Sequence, residues 1–143
     1  YVTPPTLCSL FVTSNCYNVM MPSGQAIYLH NGIVIRRDPI VNSSHWITIN
    51  LAEIDFYNKS SKLNKSQLSI SASSIYHRSN NGPFPMSNCM NDNYEDFCHT
   101  DDSNPWLMVD TGNKYFNKVV VTNRQNVFYQ CCEDRIGQFI IEG

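Results

Sequence analysis

Residues 47–57 read ITINLAEIDFY, and this stretch decides the fold class. Its apolar residues alternate with polar ones up to Leu51, so they share one face of an extended strand. The alternation resumes at Ile54 on the shifted phase, which one extra residue at Ala52-Glu53 explains. We therefore expect a β-strand that carries a β-bulge at this dipeptide.

Shorter apolar segments lie on both sides of this strand, and we expect them to form further short strands. They cover residues 26–29, 33–35, 68–72, 106–110, 118–122 and 139–141. Asn31-Gly32, between the first two segments, is typical of a tight hairpin turn. Because no segment keeps the i, i+3, i+4 apolar spacing of a helix, we expect an all-β protein with an antiparallel β-sandwich.

The pattern divides the chain into an arm and one domain. Residues 1–25 contain three prolines and two cysteines without a sustained period, so we expect an irregular N-terminal arm there and the sandwich in residues 26–143. Residues 77–105 form a long loop region rich in Asn, Asp, Gly and Pro. A loop of this length in a compact domain is normally functional, or pinned by a disulfide or a metal.

Composition excludes several classes of function. Only 15% of the residues are charged and the net charge is −2, so we do not expect nucleic acid as a partner. No apolar stretch approaches the length of about 18 residues that a membrane-spanning helix needs. Six cysteines without a Cys-x-x-Cys pair favour disulfides over zinc. Together with the N-x-S/T sequons at Asn42, Asn58 and Asn64, they indicate a secreted chain.

The segment of residues 98–135 carries the most specific motifs. It reads CHTDDSNPWLMVDTGNKYFNKVVVTNRQNVFYQCCEDR. A loop His, an N-P-W-x-x-V-D strand, a V-x-x-x-N-R strand, a Cys-Cys pair and a second Arg follow one another in this order. This series resembles the F-type lectins, or fucolectins, which have a galactose-binding-domain-like jelly roll. The resemblance implies a carbohydrate-binding module without enzymatic activity.

The resemblance also implies a sugar site. In that family the loop His and two Arg side chains bond the hydroxyls of a terminal fucose, and a vicinal disulfide packs against the sugar ring. Carried over, these ligands are His99, Arg124, Arg135 and the pair Cys131–Cys132. The residues alone leave alternatives open: His99 bonded to backbone, Arg124 and Arg135 as ordinary charged side chains, and the two cysteines paired with distant ones.

One departure from the family pattern lies between two of the implied ligands. Six residues, Gln125 to Gln130, separate the N-R dipeptide from the Cys pair, more than the family usually has there. This insertion includes Phe128 and Tyr129, which would either add an aromatic wall for a different sugar or abolish the fucose site. The alternative to a lectin is therefore a non-sugar-binding structural module of an extracellular assembly or surface appendage.

A second set of residues resembles the structural calcium site of the family. The loop S-N-C-M-N-D-N places Asn88, Asn91 and Asn93 at ligand positions, and Glu53 stands where the family has its Glu. Ca²⁺ binds six to eight oxygens, which carboxylates, amides and carbonyls supply. The alternative for these asparagines is an Asn-rich turn held by side-chain bonds to its own backbone.

The order of the motifs implies a circular permutation. The strand NLAEI, which comes late in many family members, comes first here. The family's cysteine in that strand is Ala52 here, so Cys98 needs another partner, and Cys89 is the nearest. The predicted disulfides are Cys8–Cys16, Cys89–Cys98 and Cys131–Cys132.

We therefore expect a secreted lectin module that binds fucosylated or related glycans with a structural calcium. It is expected to act as a multimer or as part of a larger extracellular protein. We do not expect an enzyme, because disulfides would consume the thiols that a cysteine nucleophile needs.

Overall fold

The computed structural model describes residues 8–9, 16–20, 32–37, 48–77, 82–124 and 139–142. The strands in these ranges are β1 (Cys8–Ser9), β2 (Cys16–Met20), β3 (Gly32–Arg37), β4 (Asn50–Asn58), β5 (Ser61–Lys62), β6 (Ser69–Ala72), β7 (Cys98–His99), β8 (Trp106–Asp110), β9 (Lys118–Asn123) and β10 (Phe139–Glu142). Two short 3₁₀ turns occur beside them, at Lys65–Gln67 and Met86–Met90. No helix among the described residues has the length and hydropathy to cross a membrane.

The strands form two sheets in which every described pair is antiparallel. The first sheet has the order β1-β10-β3-β8-β6, and the second has the order β2-β9-β4-β5. The short strand β7 pairs with the first two residues of β4, whereas β5 pairs with its last two. This arrangement confirms the predicted all-β, antiparallel β-sandwich.

The core lies between the two sheets. Alternate residues of β3 and β8 supply Ile33, Ile35, Leu107 and Val109, and the second sheet supplies Ile54, Phe56, Val119 and Val121. In a strand, successive side chains point to opposite faces, so alternate apolar residues meet the facing sheet. On β8 the pattern is strict, because its buried residues alternate with exposed ones along the whole strand.

The predicted β-bulge is confirmed. Leu51 pairs with Asn123 and Glu53 pairs with Thr122, so Ala52 is the extra residue in β4. The extra residue reverses the phase of every side chain that follows it. Ile54 therefore enters the core, and Glu53 and the next odd-numbered residues point to the opposite face of the sheet.

Gly32 has a different role from the predicted one. It is the first residue of β3 and pairs with Asp110, so it is a strand residue rather than part of a hairpin turn. A Cβ atom at this position would lie 1.8 Å from the backbone oxygen of Val109. Glycine is required here because the neighbouring strand approaches too closely for any side chain.

The predicted irregular arm contains paired strands. Within residues 1–25, β1 joins the first sheet beside β10, and β2 joins the second sheet beside β9. These parts of the arm therefore belong to the sandwich. These two strands form by pairing with β10 and β9, which lie far along the chain, so the local sequence pattern does not predict them.

Candidate functional site

Two of the predicted sugar ligands lie at the same end of the second sheet. His99 pairs with Asn50 on one side of β4. Arg124 follows Asn123, which pairs with Leu51 on the other side of β4. Neighbouring strands are about 4.8 Å apart, so the two backbones are separated by about 10 Å. The fold thus brings together two residues that are 25 positions apart in the sequence.

An aromatic stack connects these two side chains. The rings of His99 and Tyr76 stack with centroids 4.6 Å apart, and Tyr76 stacks on Phe84 at 6.2 Å. Phe84 in turn stacks on Phe97 at 4.5 Å. The guanidinium carbon of Arg124 lies 3.6 Å from the centroid of the Phe97 ring, which is a cation–π contact. The four rings and the guanidinium therefore form one continuous group.

Backbone hydrogen bonds hold three separate segments in this stack. The Tyr76 amide donates to the His99 carbonyl at 2.8 Å, and the Phe84 amide donates to the Tyr76 carbonyl at 3.2 Å. The His99 amide donates to the Phe84 carbonyl at 3.3 Å. The rings are therefore positioned by main-chain bonds as well as by their own contacts. Sequence reasoning identified His99 and missed Tyr76, Phe84 and Phe97, which carry no motif.

His99 is the most enclosed member of the group. His99 is only 7% exposed, and its Nδ1 lies against the backbone oxygen of Thr100. Because a carbonyl oxygen only accepts, Nδ1 is the protonated nitrogen in this contact. This is the backbone-bonded arrangement that the sequence left open as an alternative for His99.

The other predicted sugar ligands lie outside the described residues. They are Arg135 and the pair Cys131–Cys132, and the insertion 125–130 lies there as well. The side chains of Cys8 and Cys16 are also outside the described part, so these two pairings stay predictions.

The predicted disulfide between Cys89 and Cys98 is confirmed. The two Cα atoms are 5.3 Å apart, and both residues are fully buried. The bridge links the second 3₁₀ turn to β7, so it closes the loop immediately before His99. The long loop region is therefore pinned by a disulfide at the point where it reaches the stack.

The asparagines predicted as calcium ligands hold the loop through their own side-chain bonds. The Asn91 Oδ1 accepts from the Asn93 amide at 2.9 Å, and the Asn93 Oδ1 accepts from the Glu95 amide at 3.1 Å. The Asn88 side-chain amide donates to the Phe97 carbonyl at 3.2 Å. Bonds from an Asn to the backbone two residues on are Asx turns, the alternative that the sequence left open.

Glu53, the fourth predicted calcium ligand, belongs to a cluster of three carboxylates. One oxygen from each of Glu53, Asp55 and Asp92 lies within 4.8 Å of the other two. Glu53 and Asp55 are both buried, and they share the outward face of β4 because of the bulge at Ala52. Sequence reasoning placed only Glu53 of these three residues in a metal site and missed Asp55. The sequence could have indicated Asp55, because it lies two residues after Glu53 and therefore on the same face of the strand.

Two lysine ammonium groups lie among these carboxylates. Lys65 Nζ contacts Glu53 Oε1, and it lies 2.6 Å from Asp55 Oδ1 and 2.9 Å from Asp92 Oδ1. Lys62 Nζ lies 2.7 Å from the same Asp55 oxygen and 2.6 Å from Asp92 Oδ1. The Lys65 side chain is 5% exposed, whereas that of Lys62 is 33% exposed. Lys65 is therefore the internal cation and Lys62 the peripheral one.

The pKa shifts of the cluster follow from burial and these bonds. Burial lowers the pKa of Lys65, but hydrogen bonds to the carboxylates outweigh it and hold that pKa above its usual value. Burial also raises the pKa of Asp55, but bonds from both lysines and from Tyr94 bring it below the usual value. Burial raises the pKa of Glu53, and here it outweighs the bond from Lys65.

Calcium does not fit this arrangement. The three carboxylates supply the oxygens that Ca²⁺ prefers. The ammonium of Lys65, however, contacts an oxygen of each carboxylate, which is where a cation bound by all three would lie. A divalent ion there would also meet the charge of Lys62. The residues at Glu53 therefore do not accommodate the predicted ion while Lys65 stays in place.

Comparison with known proteins does not assign the chain to a family. No family model matches it, and no curated protein matches it in sequence.

Proposed function

We propose that this protein is a secreted carbohydrate-binding module without enzymatic activity, which binds a terminal fucose or a similar sugar. The observation that carries the proposal is the juxtaposition of His99 and Arg124 on one aromatic stack at one end of the second sheet. The remaining ligands in this proposal are Arg135 and the pair Cys131–Cys132. Glycans are the proposed partners.

The chemistry of the stack suits a sugar. A sugar ring presents neighbouring hydroxyls along its edge and C–H groups on its faces. A guanidinium carries five donors in a fixed plane, which suits adjacent hydroxyls. The contact with Phe97 holds the Arg124 guanidinium over that ring at the end of β9, and the half-buried rings beside it offer apolar surface.

The affinity for a single sugar is expected to be low. A hydrogen bond exchanged against water contributes only about 1 kcal/mol net. A site with few polar contacts therefore gains useful strength from several copies that act together, and we propose that the module works as a multimer or within a larger protein.

A glycan array with Arg124→Ala as the key variant tests the proposal. Hydrogen bonds to a charged group contribute about 1.5 to 3 kcal/mol, so we expect a loss of about 10-fold to 150-fold in affinity. Lys114→Ala is the matched control, because Lys114 is exposed and precedes β9, whereas Arg124 follows the last residue of that strand. Both variants are checked by circular dichroism and by their melting temperature.

Two results would reject the lectin proposal. One is silence of the folded wild-type protein across the array, and the other is equal binding by Arg124→Ala and wild type. Binding to sugars other than fucose, with loss in Arg124→Ala, keeps the site and assigns the specificity to the insertion 125–130.

A structural module of an extracellular assembly is the second candidate. The observation that favours it is the enclosure of His99, whose ring is nearly buried and bonded to the backbone oxygen of Thr100. In this role Arg124 packs on Phe97 as part of the fold, and Arg124→Ala lowers the melting temperature without changing any glycan signal. The same pair of measurements thus separates the two candidates.

A further inference from the structure

The carboxylate cluster on β4 joins three separate parts of the chain. Glu53 and Asp55 come from β4, and Lys65 comes from the first 3₁₀ turn. Asp92 and Tyr94 come from the loop of residues 91–97, which leads into β7 and His99. The cluster therefore fastens that loop to the outward face of the second sheet.

Charge explains why the cluster needs an internal cation. Three carboxylates within 4.8 Å of one another repel strongly, and two of them are buried. A bound metal would offset part of this negative charge, and a lysine ammonium held in the same position does so as well, with Lys62 as a second cation at the edge of the cluster. The Lys65 Nζ reaches one oxygen of each carboxylate, and the Tyr94 hydroxyl donates to Asp55 Oδ2 at 2.7 Å.

We propose that the Lys65 ammonium is the built-in cation of this cluster, so that the loop before His99 is ordered without calcium. The wild-type fold is then indifferent to calcium and to chelators. Removal of the ammonium leaves the three carboxylates with Lys62 as their cation and a larger net negative charge, and this cage accepts a divalent ion. The proposal does not depend on whether the protein binds a sugar.

The first test uses the wild-type protein alone. Its melting temperature is measured after exhaustive treatment with EDTA and again in millimolar Ca²⁺, with Mg²⁺ at equal ionic strength as the control. We expect no difference among the three. A melting temperature that falls with EDTA and recovers specifically with Ca²⁺ would overturn the proposal, because a metal would then displace the ammonium.

The second test removes the ammonium. Removing one partner of a buried ion pair leaves the other charges buried without it, so Lys65→Met should lower the melting temperature by on the order of 10 °C in EDTA. Lys62→Met, which removes the peripheral cation, should have a smaller effect, and the exposed Lys114→Met should have almost none. Equal melting temperatures for wild type and Lys65→Met would overturn the proposal.

The third test asks whether the emptied cage binds a cation. We expect Ca²⁺ to raise the melting temperature of Lys65→Met, and Tb³⁺ to show luminescence sensitised by Tyr94 in this variant and not in wild type. If neither Ca²⁺ nor Tb³⁺ has these effects on Lys65→Met, the proposal that the emptied carboxylate cluster binds a cation is contradicted. If Lys65→Met folds poorly, Glu53→Gln combined with Lys65→Met should fold better, because the pair is then removed from both sides. No gain from the second substitution would also contradict the proposal.

Discussion

Removal of the disulfide between Cys89 and Cys98 tests how much this bond contributes to the order of the loop before His99. The perturbation is the double substitution Cys89→Ala and Cys98→Ala. The two residues are nine positions apart, and a loop of that length costs the unfolded chain about 2.6 kcal/mol of closure free energy. Both residues lie in the core, so the lost sulfur contacts add on the order of 1 kcal/mol. We expect the free energy of unfolding to fall by about 3 to 4 kcal/mol.

The assay combines urea denaturation with hydrogen exchange. Urea unfolding gives the loss in free energy, provided that the m-value is unchanged. Hydrogen exchange should show lower protection of the Tyr76 and His99 amides, which bond the His99 and Phe84 carbonyls. Ser87→Ala, an exposed residue in the same 3₁₀ turn, is the control. A loss below about 1 kcal/mol with unchanged protection would refute the reasoning, because it would mean that the hydrogen bonds and the lysine cluster order the loop without the bridge.

Three further predictions concern other parts of the molecule. Phe97→Leu should weaken sugar binding by about 2-fold to 30-fold in a calorimetric titration by releasing Arg124, since a cation–π contact contributes about 0.5 to 2 kcal/mol; unchanged affinity would argue against this positioning. Gly32→Ala should lower the free energy of unfolding in urea by more than about 1 kcal/mol, because its Cβ would collide with the Val109 oxygen, and wild-type stability would refute that contact. The folded pKa of Lys65 lies above its unfolded value of 10.5, so its contribution to stability is complete below pH 10.5 and is lost as the pH rises above it. Chemical denaturation across this range should show the loss in wild type and a smaller one in Lys65→Met, whereas equal losses would contradict the prediction.

The bulge in β4 is a feature that the local sequence pattern predicts. A shift of hydrophobic phase between Leu51 and Ile54 has few other causes in a strand, so the sequence alone predicts it. The bulge also decides that Glu53 and Asp55 face away from the core. That they are buried there was not predictable, because Lys65 and the loop of residues 91–97 cover them from elsewhere in the chain.

The aromatic stack illustrates the opposite case. His99 and Arg124 were found through a motif, whereas Tyr76, Phe84 and Phe97 look like ordinary loop aromatics in the sequence. Their arrangement depends on backbone bonds between three segments. No periodicity in the sequence encodes such contacts, so only the folded chain reveals them.

By itself the sequence predicted the all-β class, the approximate positions of the strands and the bulge in β4, and it gave the pairing of Cys89 with Cys98 through the family resemblance together with their short separation. These features depend on the two-residue period of a strand or on a short separation along the chain. The tertiary structure alone decided that β1 and β2 join the two sheets, that Gly32 lies against β8, and that Lys65 is surrounded by carboxylates. Each of these depends on distances between residues far apart in the sequence, and such distances are set by how the two sheets pack and pair.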